Sequence, residues 1–294
     1  MRVFVTGASG FVGRAVVRDL LAAGHHVVGL ARSDESAAAL AAAGAEPHRG
    51  DLADLDSLTD AARAADGVIH LAFIHDFSQY QANIDTDRAA VEAMLAALAG
   101  SDKPFVGTSG TLMLAPGRLA TEADTAQKYG DANTRGDTEA VIRAAAGVRG
   151  SVVRLAPTVH GDGDHGFVPR MVDVARQHGF AAYIGDGANR WSAVHRDDAA
   201  TLYRLALERG PAGATWHGVA EQGIAIRDIA AAIGDGLGVP VRSLTPQEAP
   251  AFFGFLAMFA GSDNPASSAI TRDTLGWHPA RPGLLDDMRA HYFL

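Results

Sequence analysis

The 294-residue chain contains no cysteine, which excludes disulfides, thiolate metal sites and cysteine nucleophiles. Nor does it carry an excess of basic charge: 34 acidic against 25 basic side chains leave a net charge of −9. No basic run breaks that balance, so neither nucleic acid nor an anionic membrane is expected as a partner. Apolar runs of the ~18 residues that a membrane span needs are missing too. The short apolar stretch at 251–260 suits the lining of a pocket or a subunit contact. The first strand pattern begins at residue 2, so no leader peptide is expected and the location reads as cytoplasmic. Tandem repeats and low-complexity linkers are absent, and 48% apolar residues are ample for a core.

What is present starts at the amino end. Val3, Phe4 and Val5 form an apolar strand that runs through Thr6 into Gly7, Gly10 and Gly13, and on into a helix pattern. The spacing gives each glycine a task. Gly7 permits a sharp turn, Gly10 leaves bare backbone beside a pyrophosphate, and Gly13 lets helix and strand pack closely. The helix N-terminus then directs unpaired N–H groups and partial positive charge at the phosphates. Ser9, Phe11 and Val12 share the turn and are expected coenzyme contacts.

Downstream the pattern alternates. Gly24 stops a helix over 12–23, a strand is predicted at 27–31, and Ser33 or Asp34 opens the next helix. A brief strand at 46–49 contains Pro47, which confines it to a sheet edge. Helices over 55–65 and 84–98 precede strands at 68–72 and 105–109, and a helix over 138–146 precedes a sixth strand at 151–155. Right-handed crossovers connect these into an α/β fold, a doubly wound parallel Rossmann sheet of order 3-2-1-4-5-6. From 162 onward the pattern loosens into short helices and glycine-proline turns. The expected division is 1–161 for coenzyme binding and 162–294 mainly for covering the substrate, with some elements returning to the sheet.

In such a sheet an acid at the end of the second strand, about 20 residues past the glycines, holds the adenosine ribose. Here Ala31 and Arg32 stand in its place. A guanidinium can fork two hydrogen bonds onto a phosphate and Ser33 can add a third, so NADP (NADPH) is expected over NAD. Asp51 and Leu52, after the third strand, are placed for the adenine edge. Leu71 and Ala72, at the end of the fourth, are placed for the ribose.

Further landmarks follow in order: Gly50-Asp51-Leu52, His70-Leu71-Ala72, Thr108-Ser109-Gly110, the run from Arg154 through Ala156-Pro157-Thr158-Val159-His160 to Gly161, Gly185-Asp186-Gly187, Val194-His195-Arg196-Asp197-Asp198, and Leu275-Gly276-Trp277-His278-Pro279. With these in view the chain resembles, nearly end to end, an extended or atypical short-chain dehydrogenase/reductase of the NAD(P)-dependent epimerase/dehydratase type. The resemblance implies that Pro157, Thr158 and Val159 lie against the nicotinamide carboxamide. It also implies that the segment after Gly161 contributes to a pocket for a small-molecule substrate.

The family's working acid is a tyrosine four residues before a lysine, on the helix after the fifth strand, with a serine or threonine nearby. The lysine favours tyrosinate, and the hydroxyl positions the substrate carbonyl. That pair is absent. Tyr129 is followed at the lysine place by Asn133, whereas counting back from Glu139 puts Arg135 on lysine and Asp131 on tyrosine. Either Tyr129 is the acid with Arg135 as its electrostatic partner, or another group serves. Ser109 and Thr111 flank Gly110, where the family's hydroxyl aligns, and His160 replaces its usual tyrosine after the sixth strand as a further proton donor candidate.

Losing a general acid costs roughly 10²- to 10⁴-fold, while positioning alone supplies about 7 to 11 kcal/mol of barrier lowering, so reduction survives a degenerate pair. The leading expectation is therefore NADPH-dependent reduction of a small, partly apolar carbonyl-type substrate. A nucleotide-sugar epimerase or dehydratase is one alternative, although a dehydratase would want carboxylates beside the fifth-strand hydroxyl. A binding protein that senses NADP without turning it over is another.

His160, Asp162, Asp164 and His165 crowd together, but the glycines between them suit a loop, and no metal is expected. Phe167 stands where a calcium loop needs glycine, and the segment around Ser109 lacks the second glycine of a hydrolase nucleophile elbow. Asp197 and Asp198 read as helix caps, and His195 as a tie between the covering region and the sheet. Helices at 84–98 and 138–146 offer paired faces for a homodimer, an assembly that apolar patterning alone does not require.

Overall fold

A computed structural model describes residues 1–112, 114–125 and 133–293. Strands β1 (Arg2–Thr6), β2 (His26–Ala31), β3 (Glu46–Arg49), β4 (Gly67–His70), β5 (Pro104–Gly110) and β6 (Arg149–Leu155) alternate with helices α1 (Phe11–Ala22), α2 (Asp34–Ala42), α3 (Leu55–Ala64), α4 (Tyr80–Leu98) and α5 (Arg135–Ala144). All their pairings are parallel, and the spatial order β3-β2-β1-β4-β5-β6 is the expected one. β3 takes the edge that Pro47 requires, because proline cannot donate to a second neighbour.

The later part of the chain holds more strand than its pattern suggests: β7 (Thr158–His160), β8 (Ala181–Ile184), β9 (Arg190–His195), β10 (Thr215–Gly218), β11 (Glu221–Ala225) and β12 (Val241–Leu244). β10 joins the main sheet beside β6 as a seventh strand, while β11-β9-β7 and β12-β8 make two small sheets. Strands of three to six residues between glycine turns are too short to show an alternation, which is why this stretch reads as turns and helices. Helices α6 (Phe167–His178), α7 (Arg196–Arg209), α8 (Ile226–Leu237), α9 (Ala249–Phe253), α10 (Ala257–Ala260), α11 (Ala269–Leu275) and α12 (Leu284–His291) complete the fold.

Local chemistry fixes several boundaries. α5 starts at Arg135, three residues before its apolar pattern, because the Thr134 side chain accepts from Asp137 N and Asp137 returns a bond to the Thr134 backbone. α7 is capped not by its aspartates but by His195, whose Nδ1 accepts from Asp197 N. Asp198 instead accepts the N–H groups of Ala280 and Arg281, while Trp277 Nε1 donates to Asp198 O. Those bonds dock the tail of the chain on α7.

Three apolar cores result. One lies under α1 and α7 and includes Tyr203, Trp216 and Trp277; a second lies under α3, α4 and α5 on the opposite face of the sheet. The third, around Trp191, Ile226 and Met288, is built from elements after residue 166. The apolar stretch at 251–260 divides its side chains: Phe252, Phe253 and Leu256 enter that third core, whereas Phe255 and Met258 stay exposed beside a groove lined by Pro246 and Pro250. Among the described residues no helix is long and apolar enough to cross a membrane.

Candidate active site

The glycine turn is built from close backbone approaches. Gly7 has φ +65°, and a Cβ there would lie 2.7 Å from Ala72 N; a Cβ on Gly13 would lie 2.0 Å from Gly7 O. Both must be glycine for the turn to exist. Gly10 differs, since a Cβ there would meet only Gly7 O at 3.2 Å, which leaves its outer side open. Gly10 also caps α1 without a side-chain bond, and no acid stands in the first turn. The free N–H groups of that turn are thus available to an anion. Ser9, Phe11 and Val12 are half-exposed around them.

At the end of β2, Ala31 is buried while Arg32 is exposed and makes no hydrogen bond or ion pair among the described residues. Ser33 is more committed than its sequence position implies: its Oγ accepts from Ser36 N to cap α2. Asp51 likewise uses Oδ1 to accept from Ala53 N at 2.7 Å and Asp54 N at 3.2 Å, and Leu52 packs half-buried on the core.

Under the turn lies a network the sequence reading lacks. Thr6 Oγ1 accepts from the N–H groups of Leu71 and Ala72 and lies 2.8 Å from His70 Nδ1; His70 Nε2 lies 3.1 Å from Asp87 Oδ1. Thr6, with its lone pairs so used, has its proton for Nδ1, which leaves Nε2–H to donate to the carboxylate. Thr6, His70 and Asp87 are all buried. The network ties α4 to the backbone at Leu71 and Ala72, the predicted ribose segment. Only the His-Leu-Ala landmark hinted at it, because Asp87 is distant in sequence.

A second set of side chains converges at the carboxyl end of β5. Thr108 Oγ1 donates to His70 O at 2.6 Å and lies 2.9 Å from the Tyr203 hydroxyl; Arg135 Nη2 donates to Thr108 O at 2.8 Å. The Arg135 guanidinium also lies 4.4 Å from the centre of the Phe73 ring. Burial pushes the Tyr203 phenol well above its usual range, outweighing the opposite pull of the Thr108 hydrogen bond and the Arg135 charge, so it stays protonated. α5 is held in place by Arg154, which meets Glu139 at 2.6 Å with both side chains almost wholly buried. That pair sets Arg135 one turn earlier against β5.

The predicted catalytic residues separate here. Ser109 Oγ makes no hydrogen bond among the described residues, whereas Thr111 Oγ1 is buried and turned to Ser192 Oγ at 3.4 Å. Asn133 is bound to Asp85 and Arg88 on α4, so the cationic place beside β5 belongs to Arg135. Tyr129 and Asp131 lie outside the described residues. His160 requires correction as a proton donor: it is fully buried, with Nδ1 2.9 Å from Asp287 Oδ2 and its ring edge-on to His195, so it anchors α12 and reaches no open surface. Pro157 and Val159 are half-exposed and remain open to a carboxamide, but the Thr158 side chain is buried. Among the described residues no cluster of metal-ligating side chains forms.

Two side chains from later in the chain approach the turn. His165 contacts the Phe11 ring edge-on at 5.8 Å, and the Arg196 guanidinium lies 5.0 Å from the centre of the same ring. A glycine turn at the first crossover of a doubly wound sheet, with an unbonded Ser109 hydroxyl at the end of β5, defines a dinucleotide-binding α/β protein of the short-chain dehydrogenase/reductase kind.

Comparison with known proteins narrows this. Residues 3–217 match the NAD dependent epimerase/dehydratase family, and the chain belongs to it. The family is of the extended short-chain dehydrogenase/reductase kind. The chain is 49% identical to the uncharacterized protein C2A9.02 of Schizosaccharomyces pombe over 289 residues, 98% of each chain. It is 33% identical to the 2-alkyl-3-oxoalkanoate reductase of Stenotrophomonas maltophilia over 232 residues, 75% of this chain and 69% of that one. The solved DesIV double mutant, a dTDP-glucose 4,6-dehydratase from Streptomyces venezuelae with NAD and DAU bound, superposes with TM-score 0.76 at 21% identity over 99% of this chain and 96% of that one, a likeness of fold.

Proposed function

We propose that the protein is an NADPH-dependent reductase of small, partly apolar carbonyl compounds. The coenzyme preference rests on one observation above the rest: β2 ends in a buried alanine and an exposed, uncommitted Arg32, where a ribose-binding carboxylate would otherwise stand. Gly7, Gly10, Gly13 and the first turn of α1 would hold the pyrophosphate, with Ser9, Phe11 and Val12 around it. Arg32 would take the extra phosphate, with Ser33 contributing as the cap of α2, and Asp51 and Leu52 would border the adenine. Leu71 and Ala72 would border the ribose, and Pro157, Val159 and the Thr158 backbone the carboxamide. Bound there, the coenzyme supplies a hydride to the carbonyl carbon.

The chain's own part is to orient the acceptor and deliver a proton to its oxygen. Ser109 Oγ, the uncommitted hydroxyl at the end of β5, orients that oxygen; Tyr129 donates the proton, and Arg135 favours its ionised form. The described side chains bonded to the end of β5 are Arg135, Tyr203 and Ser192, none a carboxylate, which favours simple reduction over dehydration. The relationship to the Stenotrophomonas reductase, whose substrate name joins a ketone to alkyl chains, supports the same reading.

Following NADPH absorbance with ketones, aldehydes and imines tests the activity; no consumption across that panel would point to a sensor instead. Replacing Ala31 with Asp together with Arg32→Ala should reverse the NADPH/NADH affinity ratio. The loss of one charge-assisted contact amounts to about ten- to hundredfold.

A further inference from the structure

An arginine is hard to hold beside a reacting group, because its long side chain turns about several bonds and its charge moves with them. Two contacts fix Arg135. Nη2 donates to Thr108 O at 2.8 Å, which sets one edge of the guanidinium against the carboxyl end of β5. Cζ lies over the Phe73 ring, 4.4 Å from its centre, so the ring supports one face. An edge contact alone leaves the plane free to roll about the hydrogen bond; a face contact added to it fixes both position and tilt. The remaining N–H groups of Arg135 make no hydrogen bond among the described residues, and no carboxylate there pairs with it, so its charge is left for the site.

Phe73 is itself held. It stands three residues past β4, directly after the Leu71 and Ala72 pair, and is half-buried. Two rings of its own segment meet it steeply: His75 at 5.2 Å with the planes at 74°, and Tyr80, the first residue of α4, at 6.2 Å and 66°. The two supports of Arg135 are also joined to each other, since Thr108 Oγ1 donates to His70 O, three residues before Phe73. An aromatic face attracts a cation, and guanidinium, planar and weakly hydrated, loses little by lying against it. An aliphatic side chain of similar bulk offers contact area without that attraction or a flat support.

We infer that Phe73 is a positioning residue for the reduction: its ring, together with Thr108 O, holds the Arg135 guanidinium where its charge serves proton transfer. This inference rests on the reductase reading above and adds the side chain on which the role of Arg135 depends.

The test follows NADPH consumption with acetophenone and hexanal in Phe73→Leu, Arg135→Ala and the double variant. Phe73→Leu should lower kcat about three- to thirtyfold while KM for acceptor and for NADPH stays within about twofold, and Phe73→Tyr, which keeps the ring, should recover most of the loss. In the Arg135→Ala protein the same leucine change should cost less than about twofold, because the ring has nothing left to hold. A loss as large without Arg135 as with it would overturn the inference and make the ring a direct wall of the acceptor site. A loss carried by KM, or one that Phe73→Tyr fails to recover, would overturn it as well. No reduction of any ketone, aldehyde or imine by the unmodified protein strikes the reductase reading instead, and the contact is then read through urea unfolding of the same proteins. There the effect of Phe73→Leu on the unfolding equilibrium constant should shrink about threefold or more once Arg135 is replaced by alanine. Additive effects would overturn the placement of Arg135 by Phe73.

Discussion

The two ends of the cleft are made in different ways. At the first crossover, recognition is the work of backbone: Gly7 and Gly13 exist to let main chain pass main chain, Gly10 exposes it, and the end of α1 supplies N–H groups. At the carboxyl end of β5 the work falls to side chains gathered from afar, with Thr108 touching His70, Tyr203 and Arg135, and Arg135 held by a helix that the Arg154–Glu139 pair fastens to β6. A backbone site tolerates no added atoms but little depends on its side-chain identity. A side-chain site depends on every anchor behind it.

The sharpest way to break this contrast is at Gly13. Gly13→Val forces a Cβ onto Gly7 O, and since both partners are backbone neither can yield; coenzyme binding by calorimetry should vanish and thermal unfolding should shift far down. Gly10→Ala should keep the melting temperature and lose only affinity. Equal melting losses for the two would remove the distinction drawn between them.

At the other end, Glu139→Gln leaves Arg154 as a buried charge short of its partner. Denaturant unfolding should register about 3–5 kcal/mol of lost stability, and an unchanged midpoint would show that the pair anchors nothing.

Between the two ends, Asp87→Ala strips His70 Nε2 of its acceptor. About 1–3 kcal/mol of stability should be lost, together with weaker coenzyme binding as the Leu71 and Ala72 backbone loosens. Stability lost without any change in affinity would confine the network to packing.

The smallest effect belongs to the exposed edge of the sheet. Arg2 first, then His26, hold Glu46 down at about 2. A carboxyl depressed in the folded state contributes stability above its ordinary range and loses it as pH falls from about 4.5 towards 2. Both partners are well exposed, so Glu46→Gln should change unfolding midpoints by less than about 1 kcal/mol, and only above that window.

The sequence by itself determined the first six strands, their order, the edge position of β3 and the glycine turn, because alternation of long periodic elements and the steric demands of glycine and proline are local properties. Arg32 was legible for the same reason, as a residue at a fixed place after a strand. Tertiary structure decided what depends on partners distant along the chain. β10 needed β6 beside it to be recognised as a strand, and Asp87 found His70 only once α4 lay against the sheet. Thr111 and Ser109, equivalent on paper, parted when Ser192 took the hydroxyl of one. His160 lost its catalytic candidacy to Asp287, 127 residues away, because burial and pairing are decided by packing rather than by residue type.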